Sequence, residues 1–188
     1  MRVLLLNGGG IDSLAVAMIL SASGHETHSL HVDFGYPSSA PEKVAAELIA
    51  STYCANHLNV SVSGLDAMGF DEAIEPRYRP VQYQQLLLTT IGASHAQMNS
   101  IPYVVTGVRG NAIVGPNFRE LFGEIVGQVN LKYLKPISLV HPLETVTTTD
   151  ALFSIIQNSP ILHDTVSCLA LPACGTCIKC KFRAKYGI

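Results

Sequence analysis

The fold of this chain follows from residues 4–14, which read Leu4-Leu5-Leu6-Asn7-Gly8-Gly9-Gly10-Ile11-Asp12-Ser13-Leu14. The apolar run over residues 2–6 predicts a short buried strand, and the apolar residues from 14 to 19 recur at helical spacing. The three glycines between them can adopt a positive φ and let a ligand approach the main chain. Amide groups and the helix dipole at the start of the helix then form an anion site, and we expect phosphate there. A tight turn that needs glycine only for packing is the alternative, and it would require fewer glycines.

Two common phosphate-binding patterns fit this loop poorly. The Walker A pattern needs a lysine after its glycines, and the loop has none. The dinucleotide pattern Gly-x-Gly-x-x-Gly matches Gly8 and Gly10, and Asp33 follows at a suitable distance, but Ser13 replaces the third glycine. Asp12 would also repel a pyrophosphate group unless a divalent cation lay between them. The sequence therefore favours another type of phosphate loop, used together with a divalent cation.

Length and composition limit the class of protein. A chain of 188 residues can bury a sizeable core, and we expect a single domain over residues 1–188. Only 14% of the residues are charged, which is low for a globular protein. We therefore expect part of the surface to be covered in a homo-oligomer or by a protein partner. The net charge of −2 does not favour nucleic acid as a partner.

The same composition indicates the compartment. No segment approaches the ~20 consecutive apolar residues of a membrane-spanning helix. The apolar run before the glycines is too short for the core of a signal peptide. We therefore expect a cytoplasmic protein that does not bind membranes.

Strand and helix patterns alternate along the chain. This order predicts right-handed βαβ units, so the expected fold class is α/β with a doubly wound parallel sheet. Ligands of such sheets bind beyond the carboxyl ends of the strands, which places the glycine loop, Asp33 and Gly107 at one edge. The predicted strands cover residues 2–6, 28–33, 58–62 and 103–108; the predicted helices begin near Asp12 and Pro41 and cover residues 84–98, 118–129 and 147–156.

Four of the five cysteines form the pattern Cys168-x5-Cys174-x2-Cys177-x2-Cys180. Short C-x2-C steps bring thiolates onto one ion, and Gly175 permits the tight turn that this requires. Four thiolates fit a closed, structural Zn²⁺ site in a C-terminal segment over residues 163–188. An iron–sulfur cluster and a pair of disulfides are the alternatives, and disulfides conflict with the absence of a secretion signal. We expect the fifth cysteine, Cys54, to lie on a helix as a buried apolar side chain.

The glycine loop resembles the S-G-G-x-D-S motif of the ATP-pyrophosphatase (PP-loop) superfamily. Gly9-Gly10-Ile11-Asp12-Ser13 matches its last five positions, and Gly8 stands where the motif has its first serine. With the cysteines, the chain resembles one family of that superfamily, the 7-cyano-7-deazaguanine synthases of the queuosine pathway. The resemblance covers nearly the whole chain and rests on Asp33-Phe34-Gly35 (family D-Y-G), Val105-Thr106-Gly107-Val108 (V-x-G-V), Gly115-Pro116-Asn117-Phe118-Arg119 (G-Y-P-D-C-R), His141-Pro142-Leu143 (T-P-L) and Thr165-Val166-Ser167-Cys168 (T-x-S-C).

The resemblance implies an ATP-dependent ligase. ATP adenylates the carboxylate of 7-carboxy-7-deazaguanine, ammonia displaces AMP to give an amide, and a second ATP drives dehydration to the nitrile. Main-chain amides and Mg²⁺ near Asp12 would stabilise charge on the departing pyrophosphate. The implied cofactors are ATP, Mg²⁺ and Zn²⁺. The implied catalytic residues are Asp12, Ser13 and Arg119; the implied nucleotide-binding residues are Gly8, Gly9, Gly10, Ile11, Asp12, Ser13, Asp33 and Gly107; the metal ligands are Cys168, Cys174, Cys177 and Cys180.

The chain departs from the family pattern at several positions. Tyr83-Gln84-Gln85 replaces the family's G-R-N, and Gly110, Asn111 and Asn117 replace acidic residues. A guanine-like base needs an acceptor for its N1–H and amino group, and a carboxylate is the best one. Two alternatives therefore stay open. One is an enzyme that adenylates a related carboxylate for another amine or a protein partner, in a phage or defence setting; the other is a nucleotide-binding subunit without catalytic activity.

Overall fold

The structure is a computed structural model of the chain, and it describes residues 1–63, 84–109, 120, 124, 136–168 and 170–188. The strands in these ranges are β1 (Arg2–Leu6), β2 (Glu26–Asp33), β3 (Asn56–Ser61), β4 (Tyr103–Val105) and β5 (Ser138–Val140). The helices are α1 (Ile11–Ala22), α2 (Ser39–Tyr53), α3 (Gln84–Met98), α4 (Thr149–Ile156) and α5 (Ile178–Tyr186), with a 3-10 turn at Leu162–Asp164. None of the helices described is long and apolar enough to cross a membrane.

The strands form one parallel sheet in the order β3-β2-β1-β4-β5. In the central pair, Leu4 and Leu5 of β1 align with Val104 and Val105 of β4. The strand order reverses between β1 and β4, because β2 and β3 lie on one side of β1 and the two later strands lie on the other. Doubly wound sheets bind their ligands at such a reversal. The glycine loop follows β1 and residues 106–109 follow β4, so both lie at this point.

Two apolar cores cover the two faces of the sheet. Side chains alternate along β1, so that Val3 and Leu5 pack with α1, α4 and α5, whereas Leu4 and Leu6 pack with α3. Leu4 and Leu5 have no exposed surface. A strand that is buried on both faces is apolar at every position rather than at every second one. The continuous apolar run before the glycines is therefore explained, and the predicted doubly wound sheet is confirmed.

Most predicted elements are present, with shifts at their ends. Helix α3 has the predicted bounds. Strand β4 ends at Val105 instead of residue 108, because the Thr106 hydroxyl accepts a hydrogen bond from the Val108 amide and turns the chain. Helix α4 begins at Thr149, because the hydroxyl of Thr148 caps it by accepting from the Ala151 amide at 3.2 Å. The helix predicted over residues 118–129 lies almost entirely outside the described residues.

Three features differ from the sequence analysis. Strand β5 has only three residues, which is too short to show a periodic pattern. Helix α5 lies inside the cysteine segment, where metal-ligand spacing obscures helical spacing. The prediction that Cys54 lies on a helix is wrong: α2 ends at Tyr53, and Cys54 follows it in extended conformation with its side chain half-buried against the core. That burial raises the pKa of its thiol to about 11.

Candidate active site

Gly9 gives the loop its shape. Its φ of +71° lies in the left-handed region, and a Cβ atom there would lie 2.4 Å from the carbonyl oxygen of Glu42. The start of α2 therefore contacts the loop directly, and only glycine fits at position 9. The Gly9 amide donates to the Asn7 side-chain oxygen at 3.0 Å, which holds the loop against the end of β1.

Asn7 connects the loop to the elements around it. Its side-chain amide donates to Ser29 of β2 at 3.0 Å and to the Ala46 carbonyl of α2 at 2.9 Å. His31 Nδ1 lies 3.0 Å from the Asn7 carbonyl oxygen. Asn7 is 2% exposed, so each of these bonds is shielded from water. The sequence pattern includes Asn7 in the loop but does not indicate this role.

The Ser13 side chain supports the loop from inside α1. Its hydroxyl accepts a hydrogen bond from the Gly8 amide at 3.0 Å. Ile11 directs its side chain into the core, so that only its main chain is available to a ligand. No side chain of the described residues caps α1, which begins after Gly10. The first amides of α1 are therefore suited to an anion, as the sequence predicted.

Asp12 and Arg109 meet beside this helix start. Arg109 Nε lies 3.2 Å from Asp12 Oδ1, at an angle that does not form a hydrogen bond. Within the described part of the chain, that oxygen and Arg109 Nη1 are both buried and lack hydrogen-bond partners. Burial raises the pKa of the Asp12 carboxyl, while the positive charges of Arg109 and Lys179 oppose the rise. Buried polar atoms without partners indicate a place for a polar ligand or a cation.

Gly107 lets the end of β4 approach α1 closely. A Cβ atom at this position would lie 3.0 Å from the Cβ of Asp12 and 3.1 Å from its carbonyl carbon. Gly107, which the sequence predicts to bind nucleotide, therefore also has a packing role. Its small size brings residues 107–109 to the glycine loop. Arg109 reaches Asp12 through this approach. The sequence analysis missed Arg109, although it follows a strand end that was assigned to the same edge.

Asp33 lies at the same edge, at the end of β2. Its Oδ1 accepts a hydrogen bond from the Gly35 amide at 2.7 Å. Burial alone would raise the pKa of the Asp33 carboxyl. Hydrogen bonds to the carboxylate and the positive charge of Lys43 outweigh burial, so the pKa is lowered. Nearby, the Tyr36 hydroxyl donates to Gln84 at the start of α3. The structure thus provides an ionised carboxylate next to the loop. Arg119, the third predicted catalytic residue, lies outside the described residues.

The four clustered cysteines form a candidate metal centre. The sulfur atoms of Cys168, Cys174, Cys177 and Cys180 all lie within 4.8 Å of one another. Cys174 and Cys180 are 3.9 Å apart, sulfur to sulfur. The amides of Cys177 and Thr176 lower the pKa of the Cys174 thiol to about 6, so it readily gives a thiolate ligand. The turn passes through Gly175 at a φ of +71°, as the spacing predicted.

The segment before Cys168 connects this centre to the glycine loop. The Val166 amide donates to the Gly9 carbonyl at 2.9 Å. Arg183 of α5 donates to the Thr165 carbonyl at 2.9 Å, to the Thr165 hydroxyl at 2.8 Å and to the His163 carbonyl at 3.1 Å. A continuous set of hydrogen bonds therefore runs from the cysteine segment to the loop. Sequence spacing contains no signal for this contact.

Comparison with known proteins identifies the family. The family model described as queuosine biosynthesis protein QueC matches residues 2–186. The chain belongs to the QueC family. It is 24% identical to 7-cyano-7-deazaguanine synthase of Acetivibrio thermocellus over 98% of this chain and 91% of that protein. It is 26% identical to the Halobacterium salinarum synthase over 97% of this chain and 89% of that protein. The predicted enzyme family is therefore confirmed.

Two solved structures share the fold of this QueC-family chain. A U34-tRNA thiolase, NcsA from Methanococcus maripaludis, superposes with a TM-score of 0.61 at 16% identity, covering 98% of this chain and 63% of that one. A predicted subunit of tRNA methyltransferase from Methanocaldococcus jannaschii superposes with a TM-score of 0.58 at 22% identity, covering 84% and 74%. The thiolase structure contains a [4Fe-4S] cluster. At these identities the likeness concerns the fold alone.

Proposed function

We propose that this chain uses ATP and ammonia to convert 7-carboxy-7-deazaguanine to 7-cyano-7-deazaguanine through an acyl-adenylate. The observation that carries the proposal is the family match over residues 2–186, combined with a glycine loop and an acidic residue in suitable geometry at the sheet's reversal point. Relatives named for this synthase activity match along nearly their whole length. The proposal treats the chain as one catalytic domain that includes the cysteine segment.

The glycine loop would bind the leaving phosphates. The uncapped amides of α1 and its dipole favour negative charge at this position. As the bond to the α-phosphate breaks, charge grows on the departing pyrophosphate, and donors that are already oriented stabilise it without reorganisation. The Asn7 and Ser13 side chains fix the Gly9 and Gly8 amides, which keeps the loop in this shape.

Asp12 is suited to hold Mg²⁺, which would neutralise charge on the phosphates when bound. The fit rests on its buried Oδ1, which accepts no hydrogen bond from the described residues. Hard cations such as Mg²⁺ prefer carboxylate oxygen. The guanidinium of Arg109, whose Nε lies 3.2 Å from Asp12 Oδ1, is suited to bind phosphate oxygens beside Asp12. Arg109 therefore supplies a positive charge in a chain that lacks the arginine of the family's G-R-N motif.

The cysteine centre is suited to a single Zn²⁺ ion. Four ligands at about 2.3 Å from one zinc lie about 3.8 Å from each other. The separation of 3.9 Å between Cys174 and Cys180 is close to that value. In a [4Fe–4S] cluster each cysteine binds a different iron, which spreads the sulfur atoms further apart. We assign the ion a structural role, with all four positions taken by protein, and reduced thiols of this kind are consistent with the cytoplasm.

An assay of three products tests the proposed function. Purified protein is incubated with ATP, Mg²⁺, 7-carboxy-7-deazaguanine and ammonium, and AMP, pyrophosphate and nitrile are quantified. We expect two AMP per nitrile, since both the amide-forming and the dehydration step consume ATP. AMP without nitrile would indicate another acceptor amine, and no AMP would indicate a binding subunit; either result contradicts the proposal.

The Asp12→Asn variant tests the assigned site within the same assay. Removing the carboxylate charge while keeping its shape should lower kcat/KM by at least about 100-fold, because a charge-assisted contact is lost in the transition state. Asp164→Asn is the matched control, since Asp164 is exposed on the 3-10 turn. It should retain full activity.

A further inference from the structure

The segment Thr165–Cys168 forms part of the surface around the glycine loop. The Val166 amide bonds to the Gly9 carbonyl, and a Cβ atom at Gly10 would lie 3.2 Å from the Val166 carbonyl and 3.5 Å from the Ser167 hydroxyl. The segment therefore contacts two of the three loop glycines. It reaches them from the cysteine segment, whereas the Glu42 carbonyl of α2 limits the space at Gly9.

Ser167 has a hydroxyl without a partner in this position. The residue is 5% exposed, and its Oγ makes no hydrogen bond to any of the described residues. A buried hydroxyl without a partner is destabilising. It lies beside Gly10, which is only partly buried and is the residue from which α1 begins. A polar group that enters the loop can therefore satisfy this hydroxyl.

Lys179 brings a positive charge to the same side. It lies in the first turn of α5, between Cys177 and Cys180, and its side chain is exposed. Its charge acts on both Asp12 and Glu42, where it opposes the burial that raises the pKa of each carboxyl. It forms no ion pair with a carboxylate in the described ranges, whereas Lys185 of the same helix pairs with Asp150 at 2.8 Å. Lys179 is thus an exposed cation next to the metal ligand Cys180 in the chain, and no carboxylate of the described residues neutralises it.

We propose that Ser167 and Lys179 form a second wall of the phosphate site, beside the glycine loop, and bind the β- and γ-phosphates of ATP directly. The Ser167 hydroxyl donates to a phosphate oxygen, and the Lys179 ammonium pairs with the phosphate charge. This inference rests on the proposed use of ATP. It gives the cysteine segment a role in ligand binding as well as in stability.

The chemistry of the loop explains the need for such a wall. Gly8 occupies the position of a motif serine, so the loop lacks one hydroxyl donor, and Ser167 supplies a hydroxyl from another element. Hydrogen bonds to a charged acceptor are stronger than those between neutral groups. Lys179 acts as an exposed point charge, so its contribution is smaller and depends on salt.

Ligand titrations on metal-loaded protein test the proposal. The affinities of Mg²⁺-pyrophosphate, Mg²⁺-ATP and AMP are measured for the wild type, Ser167→Ala and Lys179→Gln. Ser167→Ala should weaken pyrophosphate and ATP by about 10-fold or more, and Lys179→Gln by about 3- to 10-fold with a reduced dependence on salt. AMP, which lacks both outer phosphates, should bind all three proteins within about 2-fold.

Two control variants accompany the titrations. Ser51→Ala removes an exposed hydroxyl on α2, and Lys181→Gln removes an exposed ammonium two residues beyond Lys179 on α5. Neither should change any affinity. Metal content is measured for every variant, because Ser167 and Lys179 flank metal ligands.

The possible outcomes separate the two proposals. If Ser167→Ala and Lys179→Gln bind pyrophosphate like the wild type, the second wall is wrong while the use of ATP stands. If AMP affinity or metal content falls in parallel with pyrophosphate affinity, the residues act through the fold and the second wall is again wrong. If the wild type itself binds neither ATP nor pyrophosphate, the proposed function fails.

Discussion

Gly9 and Gly24 share a left-handed conformation but differ in the space around them. Their φ values are +71° and +68°, yet a Cβ atom at Gly9 would clash with the Glu42 carbonyl, whereas none of the described atoms lies within 4 Å of one at Gly24. The pair therefore separates two costs of replacing glycine. One is the strain of positive φ, and the other is the loss of room against α2.

Replacing each glycine by alanine measures these costs. Gly24→Ala should lower the free energy of unfolding by about 1 kcal/mol, which is the strain of positive φ alone. Gly9→Ala should lower it by roughly 3 kcal/mol or more, because the backbone of α2 must also move. Urea denaturation gives both values. Equal losses would contradict the close contact between the loop and α2.

Asp12 should reduce stability at neutral pH in the protein without ligand. Its pKa is raised above the ordinary value of 3.8, chiefly by burial. A carboxyl whose pKa rises on folding contributes stability below its unfolded pKa, and this contribution is lost as pH rises through the folded pKa. The wild type should therefore lose stability above about pH 4 relative to Asp12→Asn, which does not titrate.

Thermal unfolding across pH 3.5–7 checks the direction of this pH effect on stability. The difference in Tm between Asp12→Asn and the wild type should increase in favour of the variant as pH rises. Added Mg²⁺ should reduce the difference, because a cation at Asp12 stabilises the ionised form. A variant that loses stability relative to the wild type with rising pH would show that Arg109, rather than burial, dominates the environment of Asp12.

At the scale of elements, the cysteine centre fixes α5 against the rest of the fold. Cys180 lies within this helix, and its neighbour Phe182 is 5% exposed in the core shared with α1 and α4. Tyr186 stacks on Phe153 of α4 at a centroid distance of 4.1 Å. Arg183 adds bonds to the segment that contacts the loop. The metal centre and the glycine loop are therefore linked through the packing and hydrogen bonds of α5.

Metal analysis tests the identity of the ion. We expect one zinc per chain and no visible absorbance, since zinc has a filled d shell. Cys174→Ser should lose the metal and unfold at a lower temperature, while Cys54→Ser should retain it, because Cys54 lies outside the cluster. About four irons per chain with visible absorbance would instead indicate a cluster.

Arg183→Gln tests the connection between the centre and the loop. Losing its bonds to Thr165 and His163 should lower the free energy of unfolding by about 1–3 kcal/mol. It should also weaken Mg²⁺-ATP binding, because the Val166 contact to Gly9 becomes less rigid. Lys181→Gln on the same helix is the control. A stability loss without any change in ATP affinity would contradict the connection.

At the scale of the whole molecule, the low charge content predicts self-association. Val44 of α2 is 65% exposed and Leu58 of the edge strand β3 is 41% exposed, so apolar side chains on neighbouring elements face solvent in the single chain. Light scattering coupled to gel filtration should give a mass larger than one chain. A monomer at every concentration tested would contradict this.

Local patterns in the sequence were enough to specify several elements of this protein. The continuous apolar run before the three glycines specified a strand buried on both faces, the loop and the helix after it. The cysteine spacing specified a metal centre, since ligands three positions apart converge without help from the rest of the fold. Helix α3 was predicted to the residue, because its apolar side chains and its length suffice.

Which distant residues meet at the glycine loop depends on how the elements pack in the folded chain, and no local pattern reports it. Arg109 reaches Asp12 because Gly107 lets β4 approach α1, and Ser167 reaches Gly10 because Arg183 draws the cysteine segment inward. These contacts join residues about 100 to 160 positions apart along the chain. Sequence periodicity reports which way a side chain faces within its own element. It carries no information on which other element that side chain meets, because this depends on strand order and packing.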